Sequence, residues 1–296
     1  MDLDGDGHPD VLSGSYPGEI YLFRGAADHS FAAGEMLKDR KGEVINERPE
    51  SAAQRASQTI GSASVVSGAD WDGDGVLDLI VGNITGDVYL IRNEGTAGAY
   101  AFGTPQRLTT ANGQQVHVVS RAGPCAADWD GDGDLDLLLG ADDGSVSLYR
   151  NTGTKTTPQL AQPVQLAAPG ARGSRDEVPK EAQRSMRSKL CVTDWNGDGK
   201  PDLLLGDFGI QKANPPELTA EEKARQDQAR KELEPLQKRY NELLSKLRGS
   251  PPSQSKEERD RTLAELNEVM KKMQPLQAQL PREYEYHGWV WLLLRK

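Results

Sequence analysis

Four stretches of nine residues follow the pattern D-x-[DN]-G-D-G-x-x-D, beginning at Asp2, Asp70, Asp128 and Asp194. Side-chain oxygens at positions 1, 3, 5 and 9, with the backbone carbonyl at position 7, suit a hard cation that takes six to eight oxygens, as Ca²⁺ does. The first stretch offers Asp2, Asp4, Asp6 and Asp10 with the carbonyl of His8. The second offers Asp70, Asp72, Asp74 and Asp78 with that of Val76. The third offers Asp128, Asp130, Asp132 and Asp136 with that of Asp134, and the fourth Asp194, Asn196, Asp198 and Asp202 with that of Lys200. Asn196 keeps an oxygen but loses a charge, so the fourth site is expected to be the weakest. Glycines at positions 4 and 6 permit the positive φ that draws the carboxylates together. Clustered carboxylates repel one another without a cation. A merely solvated loop has no need of the same acids and glycines four times over, so up to four Ca²⁺ ions are predicted.

An EF-hand is the obvious rival and fails twice. Its loop needs a bidentate Glu at position 12, where this chain has Ser13, Val81, Leu139 and Leu205. It also needs a following helix, whereas each stretch here runs into a short apolar segment closed by Gly14, Gly82, Gly140 or Gly206, which reads as a buried strand.

The extended pattern D-x-D-G-D-G-x-x-D-L-x-x-G resembles the core of the FG-GAP/VCBS repeat, also seen in integrin α-subunit propellers. The resemblance covers the chain apart from one helical insert near the C-terminus. It implies an all-β fold, a β-propeller of four-stranded antiparallel blades, in which each loop joins the first and second strands of a blade and binds calcium. Fold alone does not set function.

The elements that must position these loops are legible as a longer repeat. Gly18–Arg24, Gly86–Arg92, Gly144–Arg150 and Gly288–Leu294 align as third strands. Outer strands are expected at Phe31–Leu37, Phe102–Leu108 and Leu160–Leu166, and first strands at Ser64–Ala69, Gly123–Ala127 and Lys189–Thr193. Four strands per unit is the propeller-blade pattern. The blades are predicted over about 1–60, 61–115, 116–188 and 189–296 of a single domain, with the first lacking its innermost strand and the last its outer strand. The chain is accordingly expected to be an incomplete copy or a piece of a longer protein.

Blade four is interrupted by a polar, helix-favouring stretch, 216–282. Thr219-x-x-Glu222 and Ser255-x-x-Glu258 read as capping boxes. Ala229, Leu233, Leu236, Tyr240, Leu243 and Leu247 form one coiled-coil-like stripe; Leu263, Leu266, Val269/Met270, Met273 and Leu276 form a second. With Gly249-Ser250-Pro251-Pro252 as the turn, an antiparallel helical hairpin is predicted, kinked or split at Pro235 and Pro275. Its stripes are expected to pack on each other, with a docking or dimerisation arm as the alternative.

The net charge of −10 over 296 residues belongs largely to the loops, and four Ca²⁺ would bring it near −2. The acidity argues against a general nucleic-acid binder. No apolar run approaches the length of a membrane span, and no signal peptide is present. Loops of this type suit millimolar extracellular calcium, so an extracellular, periplasmic or cell-surface setting is expected. Cys125 and Cys191 each lie three residues before a ligand aspartate and read as small buried residues rather than a disulfide or metal pair. Trp71, Trp129 and Trp195 recur at loop position 2 and read as packing between blades rather than a sugar-stacking ladder. The charged stretches at 38–60 and Ala171–Ser188 read as solvated loops, a basic patch of Arg172, Arg175, Lys180, Arg184 and Arg187 being the alternative in the second.

No nucleophile elbow, zinc-protease helix or phosphate-cradling loop is present, and the four histidines are scattered. The expected function is a non-catalytic calcium-binding module that binds an unidentified protein or carbohydrate. Two alternatives stand beside it: a propeller-fold polysaccharide lyase or dehydratase, as the resemblance allows, and an assembly module acting through the helical arm.

Overall fold

The computed structural model describes residues 1–46, 59–171, 183–213, 217–248, 256–281 and 284–296. Much of the two charged stretches, Ser255 and the turn Gly249–Pro252 lie outside these residues, as do Arg172, Arg175 and Lys180. The chain forms two compact units. A β unit runs to Ile210 and resumes at Tyr286, and a helical unit occupies Gln211–Glu285.

The described strands form four antiparallel sheets in chain order. The first holds β1 (Val11–Gly14), β2 (Ile20–Phe23) and β3 (Glu35–Met36). The second holds β4 (Val65–Ala69), β5 (Asp78–Gly82), β6 (Val88–Ile91) and β7 (Gln106–Arg107). The third holds β8 (Gly123–Ala127), β9 (Asp136–Gly140), β10 (Val146–Tyr149) and β11 (Val164–Ala167). The fourth holds β12 (Met186–Thr193), β13 (Asp202–Lys212), β14 (Tyr284–His287) and β15 (Val290–Leu293). Each loop joins the first and second strands of its sheet, except that no first strand lies beside β1 among the described residues.

Successive sheets pack face to face, and strand alternation decides which side chain serves which interface. Leu79 and Val81 of β5 join Leu3, Ile20 and Leu22 from the first sheet in one core. Ile80, between them, points the other way and packs with Leu137 and Leu139 of β9. Leu138 in turn meets Leu203 and Leu205 of β13. A strand covered on both faces has no solvent side, so β5 and β9 read as unbroken apolar runs and are buried throughout. The far face of the fourth sheet differs: Trp195, Val290, Leu292 and Leu294 are exposed on it.

The glycines closing three second strands mark close approaches between sheets. A Cβ on Gly14, Gly82 or Gly140 would lie 2.1, 2.3 or 2.2 Å from the carbonyl oxygen of Ser64, Ala122 or Ser188, where the next sheet begins. The same atom on Gly206 would meet nothing nearer than Lys189 O at 3.8 Å.

Several boundaries depart from the sequence reading. The outer strands are shorter, with β3 and β7 two residues each. β13 does not stop at Gly206 but runs on to Lys212, because β14 continues its pairing beyond the stretch matched by β15. Cys125 and Cys191 are free thiols. Burial raises the Cys125 thiol above its ordinary range. Cys191 is exposed, against expectation, because it points to the far face of the last sheet, which no other sheet covers among the described residues. The tryptophans divide the same way: Trp71 is 3 % exposed inside a core, whereas Trp195 is 62 % exposed.

In the helical unit, α1 (Ala220–Arg248) and α2 (Lys256–Gln277) pack through Leu233, Leu243, Leu266, Val269 and Met273. The first capping box forms as read: Glu222 Oε2 accepts from Thr219 N at 2.8 Å, and Thr219 Oγ1 accepts from Glu222 N at 3.3 Å. Neither helix is split at its proline. Pro235 lies between Leu233 and Leu236, both packed in the shared core, and that burial offsets the one lost backbone bond. No described helix is long and apolar enough to cross a membrane.

Candidate metal centre

The four loops share one backbone framework. The glycines at positions 4 and 6 all have positive φ, from 72° at Gly73 to 94° at Gly133. The position-7 N–H donates to the position-5 carboxylate in every copy: His8 to Asp6 (2.8 Å), Val76 to Asp74, Asp134 to Asp132 and Lys200 to Asp198 (2.9 Å each). In three copies the position-1 carboxylate accepts from both glycine N–H groups. Asp2 takes those of Gly5 and Gly7, Asp128 those of Gly131 and Gly133, and Asp194 those of Gly197 and Gly199, all within 2.7–3.0 Å.

Three loops gather carboxylates closely enough to share one ion. Ligand oxygens of Asp2, Asp4 and Asp10 lie within 4.8 Å of one another, as do those of Asp70, Asp72 and Asp74, and those of Asp128, Asp130 and Asp132. Asp70 Oδ1, Asp72 Oδ1 and Asp130 Oδ1 are buried without a hydrogen-bond partner. A buried carboxylate oxygen left without a donor is costly, and a cation at these points would remove that cost. In the fourth loop Asn196 turns its amide inward to donate to Asp198 Oδ2 at 3.1 Å. That contact takes up an oxygen which the acidic loops leave open.

The position-9 aspartates have a task that the sequence reading missed. Asp10, Asp78, Asp136 and Asp202 are buried. In each, Oδ2 accepts from the position-2 backbone N–H: Leu3, Trp71, Trp129 or Trp195, at 2.8–3.2 Å. Oδ1 accepts from the N–H two residues past the third strand: Gly25, Asn93, Asn151 or Arg295, at 2.7–2.8 Å. One carboxylate thus ties the start of the loop to the chain leaving the neighbouring third strand. Burial pushes the Asp78 carboxyl up to about 6, with the neighbouring Asp72 and Asp74 charges adding to the rise and the two backbone donors opposing it. Burial raises Asp136 likewise.

Two further groups stand out only in three dimensions. Asn93 and Asn151 each accept two backbone N–H groups across the bend after the third strand, from Gly95 and Ala101 and from Gly153 and Gln159. The repeated R-N-x-G-T at Arg92–Thr96 and Arg150–Thr154 was the signal for them. The arginine that follows the third strand pairs with the position-3 aspartate. Arg24 pairs with Asp4, Arg92 with Asp72 at 3.2 Å, and Arg150 with Asp130 at 2.6 Å.

The described part of the basic stretch is occupied structurally. Arg184 donates to the carbonyls of Gly144 and Ala168, and Arg187 lies over the Phe208 ring. The rings of Phe208 and Tyr286 stack at 5.8 Å, and those of His287 and Trp289 meet at 5.5 Å, so the aromatic re-entry segment packs within its own sheet.

The model of the FG-GAP-like repeat family matches residues 70–139 and 128–205, the stretches that carry the second, third and fourth loops. No curated protein matches the chain. Residues 70–205 are therefore FG-GAP-like repeats, and the loop at Asp2–Asp10 is built on the same geometry.

Proposed function

We propose that the chain is a set of calcium-binding β-propeller blades serving as a non-catalytic binding or scaffold module, with Ca²⁺ held structurally in the loops between first and second strands. The observation that carries this reading is the trio of buried, partnerless oxygens, Asp70 Oδ1, Asp72 Oδ1 and Asp130 Oδ1, each within a cluster of three carboxylates. The donor set is all oxygen, which suits Ca²⁺ rather than a transition metal. In the second loop Asp70, Asp72 and Asp74 would hold the ion with the carbonyl of Val76, while Asp78 braces the loop from behind. The third loop repeats this with Asp128, Asp130, Asp132 and the carbonyl of Asp134. Asp2, Asp4 and Asp6 with the carbonyl of His8 would do the same in the first loop, where Asp10 is both brace and ligand because its carboxylate also lies in the cluster with Asp2 and Asp4; Asp194, Asn196 and Asp198 with the carbonyl of Lys200 complete the set. The ion would supply positive charge and fix each turn.

The helical unit belongs to this reading as an insert at 216–282 in the fourth blade, available for association with a partner. An extracellular or surface setting follows from loops that fit millimolar calcium. The four-loop design predicts a stoichiometry. Dialysis against 1 mM Ca²⁺ with excess Mg²⁺, followed by elemental analysis, should find three tightly held calcium ions per chain and a fourth held more weakly. A chain that retains none contradicts the proposal.

A further inference from the structure

The strand register places Arg24, Arg92 and Arg150 at one position. Each lies one residue beyond the last pair of its ladder, Val11↔Phe23, Leu79↔Ile91 and Leu137↔Tyr149, opposite the position-9 aspartate. The fourth sheet has the same register, Leu203↔Leu293, and Leu294 occupies the equivalent place. Its loop is also the one with Asn196 at position 3. Within this one chain, acid and arginine are therefore present together three times and absent together once.

The geometry of the pairs is directional. Arg92 and Arg150 take Oδ2 of Asp72 and Asp130, and Oδ1 of each is the buried oxygen without a partner. Arg24 likewise takes Oδ2 of Asp4. A guanidinium N–H that holds one oxygen from outside steadies the carboxylate and leaves the other oxygen facing the loop. Outer contacts of this kind set the aim of metal-binding carboxylates.

We propose that Arg24, Arg92 and Arg150 are positioning residues of the calcium loops, each aiming the position-3 carboxylate at the ion. The fourth loop, with neither member of the pair, forms a second and weaker class. This rests on the calcium reading above. The alternative role for these arginines, a plain counter-charge, has the opposite sign, because a cation beside Ca²⁺ weakens its binding.

Transplanting the pair separates the two roles in the full-length chain. Asn196→Asp is compared with the double variant Asn196→Asp/Leu294→Arg by calorimetric calcium titration. Leu294 is itself exposed, which favours tolerance of the substitution. The added arginine should tighten calcium on the fourth loop by roughly tenfold over Asn196→Asp alone. In the second loop, Arg92→Met should weaken one site by a similar factor, and Arg92→Lys, which keeps the charge without the planar guanidinium, should fall between. Unchanged or tighter binding in Arg92→Met, or weaker binding in the double variant than in Asn196→Asp alone, overturns the positioning role while leaving the calcium reading intact. A wild-type chain that takes up no calcium overturns the calcium reading itself, and the positioning role with it.

Discussion

Asp78→Asn is expected to destabilise the β unit by about 3 kcal/mol in the absence of calcium, a fall in melting temperature on the order of 10 °C. The carboxylate is 1 % exposed and accepts from Trp71 N on one oxygen and Asn93 N on the other. An amide keeps the shape but sets an NH₂ against one of those N–H groups, leaving a buried donor unsatisfied. Asp74→Asn, four residues earlier on an exposed turn, should change the calcium-free melting temperature little and act on calcium binding instead. Both variants can be followed by tryptophan fluorescence during heating in EDTA, since all five tryptophans lie in the β unit. Equal falls in the two variants would mean that Asp78 is no brace.

The glycine that closes each second strand gives the other large effect. Gly82→Ala would drive a Cβ to 2.3 Å from Ala122 O and 2.8 Å from its carbon, a backbone wall that cannot rotate away. Relief requires the second and third sheets to move apart across a core that includes Ile80, Leu137 and Leu139. A loss of about 3 kcal/mol is expected. Gly206→Ala is the internal control, with its nearest neighbour at 3.8 Å. There the substitution should be neutral or slightly stabilising, because alanine restricts the unfolded chain more than glycine does. Paired urea titrations of the two variants test this, and similar midpoints would contradict the stacking of successive sheets.

These two positions also show what was legible in the sequence and what was not. The D-x-[DN]-G-D-G-x-x-D repeat disclosed the loops, their glycine φ values and the strands on either side, because each depends on residues within a dozen of one another. It did not reveal that one of the four acids in each loop also serves as a hydrogen-bond brace. The position-9 aspartates were read as ligands on equal terms with the others. Their second bonds run to Gly25, Asn93, Asn151 and Arg295, and the last of these lies 93 residues beyond Asp202. The arginine–aspartate pairs were hidden for the same reason. Arg24, Arg92 and Arg150 stood in the aligned third strands, but only the strand register brings them to position 3 of the loops. Gly206 read as a strand end because the other second strands end on glycine. β13 runs past it because its partner β14 comes from beyond the helical unit. Trp195 matched Trp71 in sequence and differs in exposure because no described sheet covers its face.

The most direct measurement is the melting temperature of the β unit, read by tryptophan fluorescence, in EDTA, in 2 mM Mg²⁺ and across a Ca²⁺ titration. Four independent sites with free calcium tenfold above Kd would add about 5–6 kcal/mol, a rise on the order of 10–20 °C. The calcium reading predicts that rise with Ca²⁺, a midpoint on the order of 0.1–1 mM, and little change with Mg²⁺. A melting temperature that is the same in EDTA and in saturating Ca²⁺ would contradict it.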